Sequence, residues 1–590
     1  MQSPSSEISL RNVTDKIRDV SLSGETNRLV VGVDFGTTYS GVAWGYTGSP
    51  SEIHVIQSWP GGVNLTSPKV PSKIAYEKDG IKWGFQIKPF QNCIECFKLC
   101  LDPNLRPPDF VSLPNIYAQL QQHEKTVQDV VRDYLQMLYD HTITMLTRSL
   151  GQTFVENTKI EFILTCPAVW SDRSKNATLQ AAEGTGMAKS CKIRLISEPE
   201  AAALYTLKTI RPKNLSANDD SCFVVCDAGG GTVDLISYEI LQTEPLQVKE
   251  SVTGTGELCG SAFLNRRFES FVKERLGSTA YFAMKEKTKI AALKSWEEYV
   301  KRVFVDGEDQ DVFPIQFPGL PDDEARGIDC GFMTVTREEV QGIFEPVIEE
   351  VVRLVDGQIT AVQSKGKRVK SILLVGGFGS SEYLFMRLQN KYTDVLSTPD
   401  NPDVVLQPVD SWTAVVRGAV IRGMETIVQT RKSRYHYGVK YWEYYDENVH
   451  SEEHKYWDTT REKWLAENQI KWYIAKLKGT EMSEDESIAF PFYITFEDHH
   501  SRVLVDELVC CQETFPPKCI DSTVKTVCKL RSDLTNVPNS MYTKGRNSKD
   551  VEYEGLHFTM EMTVLSASLL FELSVDGVRY EDDSLELSWH

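Results

Sequence analysis

The chain contains one short pattern twice: an apolar strand segment, an aspartate, a turn rich in glycine and threonine, and a second strand segment. The first copy reads LVVGVDFGTTYS at residues 29–40, and the second reads CFVVCDAGGGTVDL at residues 222–235. Short apolar runs predict buried strands. Glycine lets the backbone of a turn approach an anion with its N–H groups free to donate. The duplication therefore predicts two similar elements that face each other across a shared polyphosphate.

The aspartates of the two turns imply a further ligand. The carboxylates of Asp34 and Asp227 would repel a bare phosphate, so a cation is expected between them. Mg²⁺ suits this arrangement because it keeps several waters and binds through one or two carboxylates together with phosphate oxygens. A single turn of this kind is also typical of an ordinary hairpin. Two copies, each with aspartate ahead of glycine and threonine, favour a nucleotide site.

Two common nucleotide motifs do not match this sequence. It contains no G-x-x-x-x-G-K-[ST] sequence. The segment GTGELCG at residues 254–260 has the wrong spacing for a dinucleotide fingerprint. Another glycine-rich turn, GGFGSS at residues 376–381, follows a predicted strand at residues 371–375. That turn is either an anion or ribose site at a helix N-terminus or a tight strand-to-helix connection.

Length, charge and cysteine usage limit the organisation and the partners. A chain of 590 residues is too long for one core and predicts about two to four domains. The net charge of −19 argues against general binding to nucleic acid or to an anionic membrane. The sequence shows no apolar run long enough for a bilayer and no secretory signal, and residues 1–28 are predicted to form a flexible tail. Cysteines scattered in apolar strands fit a cytoplasmic or nuclear location.

Cys93, Cys96 and Cys100 have spacings that also place residues on one face of a helix. No second ligand pair stands close in sequence, so zinc binding is the lesser alternative.

Strand and helix patterns alternate through about residue 424, which is typical of an α/β fold. A strand is predicted at residues 159–165, followed by a helix that begins at Ser171 or Asp172 and runs through Met187. Beyond about residue 430, segments such as FPFYITF and SLLFELSV predict strands. Residues 431–590 are therefore expected to form a mainly β domain, with one candidate helix at residues 459–477.

Five motifs resemble those of the actin, hexokinase and heat-shock ATPase superfamily. They are DFGTTYS, CPAVWSDRSKNAT, ISEPEAAALY, CDAGGGTVD and LLVGGFGSS. Their order and spacing are most similar to the 70-kDa heat-shock chaperones. The EYL run after the last motif and the PAVW run at residues 167–170 resemble the divergent heat shock 70 kDa protein 12 branch. The resemblance is strong from residue 29 to about residue 424.

The resemblance implies an architecture. Residues 29–430 would form a two-lobed actin-like ATPase domain, a duplicated ribonuclease-H-like fold, with lobe I at about 29–206 and lobe II at about 207–430. Residues 431–590 would form the mainly β domain that binds substrate or partner. Because the chain stops at His590, no helical lid is expected over that domain.

The resemblance also implies roles for particular residues. Asp34 and Asp227 would hold Mg²⁺ through water. The phosphate loops would be Gly36, Thr37, Thr38 and Tyr39, and Gly229, Gly230, Gly231 and Thr232. Glu198 and Asp234, with Thr232, would position or deprotonate the attacking water, and Lys98 would be the catalytic lysine. Glu298, Lys301 and Arg302 would contact adenosine, and Gly376, Gly377 and Phe378 would line the ribose and adenine side.

Simpler interpretations remain beside these roles. Residues 297, 298, 301 and 302 include i,i+4 pairs that are typical of a solvated helix face, and Lys98 could be an exposed helix lysine. The sequence also departs from the typical chaperone, in which Ser-Thr-Arg follows the paired glycines and the arginine stacks on adenine. Here Phe378, Gly379 and Ser380 occupy the aligned positions, so adenine packing must differ.

The expected function is that of an ATP-driven, chaperone-like protein that uses Mg²⁺, hydrolyses ATP and binds unfolded or extended polypeptides, with co-chaperones as further partners. The alternative is an ATP-sensing scaffold or regulator with weak or no hydrolysis. A small-molecule kinase or an actin-like filament protein of the same superfamily is a third alternative. No motif for a sugar or acid pocket favours the kinase, and a filament protein would hardly need the long β region.

Overall fold

The computed structural model describes residues 27–89, 91–102, 113–189, 193–210, 221–305, 307, 311–399, 402–425, 428–474, 481–483, 487–496, 502–580 and 585–589. The chain divides into two compact units. Unit 1 comprises Met1–Trp170 and Ala177–Ile427, and unit 2 comprises Ser171–Asn176 and Val428–His590. The expected N-terminal tail lies, over residues 1–26, outside the described residues.

The first sheet of unit 1 is built around the strand that carries Asp34. The strands before residue 200 are β1 (Arg28–Asp34), β2 (Tyr39–Tyr46), β3 (Ile53–Val55), β4 (Val70–Pro71), β5 (Lys73–Glu77), β6 (Gly80–Trp83), β7 (Ile94–Glu95), β8 (Lys159–Cys166) and β9 (Arg194–Ser197). The main sheet has the order β3-β2-β1-β8-β9, and β4 pairs with β2. Strands β5, β6 and β7 form a separate small sheet.

A second sheet of unit 1 repeats this arrangement around Asp227. Its part of the chain contains β10 (Ser221–Ala228), β11 (Val233–Thr243), β12 (Leu246–Glu257), β13 (Val312–Gln316), β14 (Ile328–Asp329), β15 (Phe332–Thr336), β16 (Arg368–Val375) and β17 (Val405–Leu406). The order is β17-β16-β10-β11-β12, with β13, β15 and β14 in a small sheet. Strand β10 is antiparallel to β11 and parallel to β16, as β1 is antiparallel to β2 and parallel to β8. The two aspartates therefore lie near the ends of equivalent strands.

Eleven α-helices lie before residue 425 in the part of the chain that the structure describes. They are α1 (Leu113–Gln122), α2 (Val127–Leu150), α3 (Gln152–Asn157), α4 (Asp172–Glu183), α5 (Glu198–Ile210), α6 (Ala262–Leu276), α7 (Ser278–Ala283), α8 (Glu286–Trp296), α9 (Arg337–Gln363), α10 (Glu382–Leu396) and α11 (Ala414–Met424). Helix α11 packs closely against α5 and β1, because a Cβ on Gly418 would overlap the Ala201 carbonyl group and a Cβ on Gly32 would lie 2.6 Å from the Val416 carbonyl oxygen. This packing fixes α5, whose first residue is Glu198.

The long helix α9 supports the second sheet. It begins with a capping box in which the Thr336 hydroxyl accepts from the Glu339 N–H and the Glu339 carboxylate accepts from the Thr336 N–H. One buried polar residue, Gln358, ties the helix to β11 and β12: Ser237 Oγ donates to it at 2.7 Å, and it donates to Thr255 Oγ1 at 2.9 Å. A buried amide with these partners fixes the register of helix and sheet.

Unit 2 is built mainly of strands. They are β18 (Val428–Lys432), β19 (His436–Tyr444), β20 (Lys455–Asp458), β21 (Lys463–Ile474), β22 (Glu481–Ser483), β23 (Ser487–Phe496), β24 (Val503–Cys511), β25 (Val524–Asp533), β26 (Thr543–Arg546), β27 (Glu552–Val564), β28 (Leu569–Val575), β29 (Val578–Tyr580) and β30 (Leu585–Trp589). One sheet has the order β20-β21-β19-β24-β25-β30, and another has β23-β27-β28-β29 with β26 on β27. Buried residues of both sheets, including Phe490, Leu508 and Met560, form one core.

The expected helix at residues 459–477 is wrong over the described residues. Residues 463–474 form strand β21, which pairs with β20 and places Trp457 opposite Trp464. The physical reason is that the aromatic and β-branched residues of this segment pair across strands, and this pairing outweighs the helix propensity of its Lys, Glu and Ala residues. Residues 475–477 lie outside the described residues.

The expected helix from Ser171 or Asp172 through Met187 is shorter than predicted. It begins at Asp172 and ends at Glu183, and Gly186–Lys189 form a separate 3₁₀ turn. Gly184 and Gly186 explain the early end, because glycine is a poor helix former. In the part of the chain that the structure describes, no helix combines the length and apolar character needed to cross a bilayer.

Candidate functional site

Both aspartate turns of unit 1 line one cavity of about 380 Å³. The predicted site residues that line it are Asp34, Gly36, Thr37, Thr38, Tyr39, Lys98, Glu198, Asp227, Gly229, Gly230, Gly231, Thr232, Lys301, Arg302, Gly376, Gly377 and Phe378. The lining also includes Ser380 and Ser381 of the GGFGSS turn, together with residues that the sequence did not indicate: Lys69, Ser261, Ala262, Leu264, Asn265, Glu297, Trp412 and Val415. Segments that are far apart in sequence therefore meet at one site.

The two glycine turns approach each other closely. A Cβ on Gly230 would overlap Thr38 Oγ1, and a Cβ on Gly231 would lie 3.1 Å from Thr37 Oγ1. Glycine is needed at residue 230 because a side chain there would collide with the opposite turn. The close approach leaves a narrow space edged by backbone and threonine hydroxyls, which suits an anion with several oxygens.

Ser72 holds the first turn in place. Its N–H donates to the Thr38 carbonyl oxygen at 2.8 Å, and its hydroxyl donates to the Gly36 carbonyl oxygen at 2.7 Å. Ser72 directly follows β4, which pairs with the start of β2. The first turn is therefore fixed by the sheet from which it emerges.

The start of α6 holds the second turn. The N–H groups of Gly260, Ser261 and Ala262 donate to the carbonyl oxygens of Gly231, Gly229 and Gly230, at 3.2, 3.1 and 2.9 Å. The glycine-rich segment at residues 254–260 therefore ends in the residues that hold the second glycine turn. It is not a dinucleotide fingerprint. The sequence signal for this supporting segment was the run of small residues at the start of α6.

Three buried acidic side chains line the cavity, and a fourth lies next to it. Asp34, Glu198, Asp227 and Asp234 are all buried. Burial, with the added charges of Glu198, Asp234 and Asp34, raises the pKa of Asp227 well above its usual range, and Lys69 opposes the shift. Burial also raises the pKa of Glu198 to about 7, against the lowering effect of Lys98. This much unfavourable negative charge suits a bound cation.

The donor set fits a hydrated cation. Within the described residues, no group of three or more His, Cys, Asp or Glu side chains is arranged to hold a metal ion. A direct protein cage is therefore missing from that part of the chain, whereas Asp34 and Asp227 both line the cavity. Mg²⁺ commonly binds in this way, through few carboxylates, several waters and phosphate oxygens. The residues present fit Mg²⁺ held through water.

Asp234 lies next to the cavity but is not one of its lining residues. It is opposite Asp227 in the β10–β11 pairing, and its exposed fraction is 1%. Its charge nevertheless acts on the site, because it raises the pKa of both Asp227 and Glu198.

Lys98 is buried, so the interpretation as an exposed helix lysine is wrong. It lies in the 3₁₀ helix Phe97–Leu101, and its Nζ is 2.7 Å from Glu198 Oε1. The ammonium also lies 5.4 Å from the ring centre of Phe35 and 5.2 Å from that of Trp170. The pairing with Glu198 and the aromatic faces stabilise a buried positive charge at the cavity wall.

Lys69 is a second buried cation of the cavity, and the sequence did not indicate it. Its Nζ lies 2.6 Å from Asp34 Oδ2, and the two side chains are only 9% and 6% exposed. The other Asp34 oxygen accepts a hydrogen bond from Thr165 Oγ1 at 3.3 Å. Both carboxylate oxygens of Asp34 therefore have partners on the protein.

Two of the three residues predicted to contact adenosine line the cavity, and the third does not. Glu297, Lys301 and Arg302 line the cavity, whereas Glu298 is exposed and pairs with Lys294 at 3.8 Å. Residues Glu297–Lys301 form a π-helical turn. The alternative of a solvated helix face therefore describes Glu298, whereas the π turn, which holds more residues than an α turn, places Glu297 and Lys301 at the cavity.

Lys301 is held within the cavity wall by α6. Its Nζ donates to Asn265 Oδ1 at 2.9 Å and lies 3.6 Å from Glu297 Oε1. Burial lowers the pKa of Lys301, and the Glu297 carboxylate opposes this shift. The i,i+4 pair Glu297–Lys301 expected of a solvated helix face is present, but its lysine lies in the cavity wall.

The third glycine turn crosses the other side of the cavity. Gly376 has φ 92°, and a Cβ there would overlap the Ala228 carbonyl group. The N–H groups of Phe378 and Gly379 both donate to the Ala228 carbonyl oxygen, at 2.8 and 2.9 Å. The Phe378 side chain belongs to the hydrophobic core and is 3% exposed. It lines the cavity without offering a free ring face.

The cysteines near Lys98 do not form a helix face. Cys96 has φ 57° and precedes the 3₁₀ helix, Cys100 lies within that helix, and Cys93 precedes strand β7. Burial raises the pKa of Cys96 to about 12 and that of Cys100 to about 11. Burial therefore disfavours the thiolate form of both cysteines.

The comparisons with known proteins identify the family. The family model described as Hsp70 protein matches residues 30–423, which is most of the chain and includes the cavity residues. This chain belongs to the Hsp70 family. The family assignment made from the sequence is therefore confirmed.

Curated relatives place the chain in one divergent branch of the family. Human heat shock 70 kDa protein 12A is 23% identical over 598 residues, covering 86% of this chain and 85% of the relative. The mouse protein of the same name is 22% identical and covers 73% of this chain and 74% of its own length. Human heat shock 70 kDa protein 12B is 21% identical, with coverages of 70% and 71%. These similarities confirm the resemblance to the heat shock 70 kDa protein 12 branch.

Proposed function

We propose that this Hsp70-family chain binds ATP and ADP with Mg²⁺ and hydrolyses ATP in a chaperone-like cycle. The observation that supports this most is the meeting of two glycine turns, each with a buried aspartate, around one cavity. In this proposal, residues 29–206 and 207–430 are the two lobes of an actin-like ATPase domain. The phosphates bind where the turns of Gly36 and Gly230 face each other.

Two loops of the chain bind the phosphates, and two aspartates hold the metal. The first loop, Gly36, Thr37, Thr38 and Tyr39, and the second loop, Gly229, Gly230, Gly231 and Thr232, bind phosphate oxygens through backbone N–H groups and hydroxyls. Asp34 and Asp227 hold the waters of Mg²⁺. When bound, the metal neutralises the charge of the phosphates.

Glu198 and Asp234, together with Thr232, position or deprotonate the water that attacks the γ-phosphate. A carboxyl group with a pKa of about 7 can accept or hold a proton near neutral pH, which is the property of an effective general base. Lys98, 2.7 Å from Glu198, provides positive charge close to the γ-phosphate position. Asp234 acts through its charge on Glu198 and Asp227.

The opposite end of the cavity binds the nucleoside. Lys301 and Arg302 line it together with Glu297, and Gly376, Gly377 and Phe378 form the facing wall. Trp412 adds an aromatic surface there, with its ring 5.8 Å from that of Tyr39. Because Phe378 is packed into the core, adenine recognition depends on these polar and aromatic groups.

Residues 431–590 provide the partner-binding function in this proposal. Their antiparallel strands offer the kind of sheet that can add an extended peptide at an edge. The clients are unfolded or extended polypeptides, and co-chaperones are the expected regulators of the cycle. The site of action is the cytoplasm or nucleus.

One observation favours a second candidate function, an ATP-sensing regulator with weak hydrolysis. Lys69 is paired with Asp34 at 2.6 Å, so part of the carboxylate charge proposed to hold Mg²⁺ is already neutralised. A site of this kind binds nucleotide but uses the metal less effectively for hydrolysis.

Nucleotide binding is tested by thermal unfolding. Ligand that binds only the native state raises the unfolding temperature, so about 1 mM Mg-ADP should raise the Tm of the full chain by a few degrees, roughly 3–8 °C. Asp227→Ala, which removes a carboxylate proposed to hold Mg²⁺, should reduce this shift. Its control is Asp356→Ala, which removes an exposed aspartate paired with Lys391 and should keep the shift. No shift with either Mg-ADP or Mg-ATP contradicts the proposal.

Chaperone-like coupling is tested with an unfolded reporter peptide. If nucleotide and peptide bind to coupled states, saturating ATP should change the peptide dissociation constant by about fivefold or more, and the peptide should change ATP turnover. Fluorescence anisotropy with ATP, with ADP and without nucleotide measures the first effect. Equal peptide affinity in all three conditions favours the regulator.

A further inference from the structure

Lys69 reaches Asp34, an aspartate proposed to hold Mg²⁺, because its backbone and its aliphatic stem are both held in place. It precedes β4, and the Ser67 hydroxyl donates to its carbonyl oxygen at 2.6 Å. Its stem lies over Gly41, where a Cβ would be 3.3 Å from Lys69 Cγ. Gly41 is the partner of Asp34 in the β1–β2 register. The missing side chain at residue 41 leaves room for the stem, and the ammonium lies 2.6 Å from Asp34 Oδ2.

The ATPase roles proposed above do not include this lysine. Lys98, the other lysine near the acids, pairs with Glu198, and Lys301 binds Asn265. Lys69 alone among these lysines contacts an aspartate proposed to hold Mg²⁺. A buried ammonium 2.6 Å from Asp34 Oδ2 supplies a fixed positive charge. Water and salt screen this charge less than they would at the protein surface.

We infer that Lys69 is a resident cation of the nucleotide site and takes over part of the role of the divalent metal. The inference rests on the proposed nucleotide binding and makes it more specific. With Lys69 in place, the site accepts a nucleoside diphosphate with little dependence on Mg²⁺. The same pairing weakens the hold of Asp34 on the waters of a divalent metal, because the carboxylate charge is already balanced.

Calorimetric titration of the full chain with ADP, in EDTA and in MgCl₂, tests the inference. In the wild type the two dissociation constants should agree within about threefold, whereas in Lys69→Met the metal-free value should be weaker by about tenfold or more. Lys69→Arg, which keeps the charge, should resemble the wild type. Lys73→Met is the matched control, because Lys73 lies four residues further on and pairs with Glu95 at 2.6 Å.

A second measurement uses Mn²⁺ as the probe and needs no turnover. Electron paramagnetic resonance of free Mn²⁺, titrated into the ADP complex, should show tighter metal binding in Lys69→Met than in the wild type by about fivefold or more. The inference is overturned if wild-type ADP binding weakens about tenfold or more in EDTA. Equal Mn²⁺ affinity in both proteins overturns it as well. These results leave the proposed function standing, whereas absence of ADP binding with and without metal overturns both.

Discussion

Replacing Glu198 with glutamine is expected to lower ATP turnover by about 10²–10³-fold and to leave the ADP dissociation constant within about threefold of the wild type. The side chain is buried at the first residue of α5, and its pKa is raised to about 7. Glutamine keeps the shape but cannot accept the proton of the attacking water. Single-turnover phosphate release measures the chemical step, and calorimetry measures ADP affinity.

The matched control is Glu200→Gln, two residues further along the same helix. Glu200 is also buried, with 0% exposed against 9% for Glu198, but it is not one of the cavity residues, so turnover per folded molecule in this variant should stay within about twofold of the wild type. If Glu198→Gln weakens ADP binding as much as it slows turnover, Glu198 is a binding or structural residue. If the wild type itself does not turn over ATP, the regulator is the better description.

The two aspartate turns could be predicted because the information for each is local. In residues 29–40 and 222–235, apolar strand, aspartate, glycine and second strand follow one another directly. The hydrophobic pattern defines the strands, and the glycines define the turns. That the turns meet was inferred from the duplication, and the cavity lined by both agrees with that inference.

Lys69 could not be predicted in the same way. Its neighbours, SPKVPS, resemble an ordinary connection, and nothing in their spacing indicates Asp34. The contact depends on the pairing of β4 with β2 and on the open space at Gly41. These are tertiary features, which local patterns do not encode. Ser261 and Trp412 were missed for the same reason.

Two predictions from the sequence were wrong because the local conformation differs from the expected one. Residues 463–474 contain good helix formers, but they are paired with β20 and β19 in the structure, and cross-strand packing decided the outcome. Glu298 was selected from the family resemblance, whereas Glu297 lines the cavity and the chain forms a π turn at Glu297–Lys301. Helix propensity does not reveal such a turn, since it adds a residue without changing composition.

Replacing Gly230 with valine is expected to weaken ADP binding by about 100-fold while the protein stays folded. A Cβ at residue 230 would overlap Thr38 Oγ1, so the two turns must separate and the phosphate contacts on both sides are lost. The collision involves a side chain at the cavity surface, so it should affect the site more than the core. Calorimetry with Mg-ADP measures the loss, and circular dichroism checks the fold.

A double-mutant cycle separates this collision from a general loss of flexibility at residue 230. Thr38→Ala removes the colliding hydroxyl and leaves Thr38 Cβ, which would lie 3.3 Å from the added Cβ. Gly230→Ala in the Thr38→Ala background should therefore cost less than Gly230→Ala alone, with a coupling free energy of about 1 kcal/mol or more. Additive losses would mean that the turns do not oppose each other at these residues. In that case the phosphate space between the turns would have to be assigned differently.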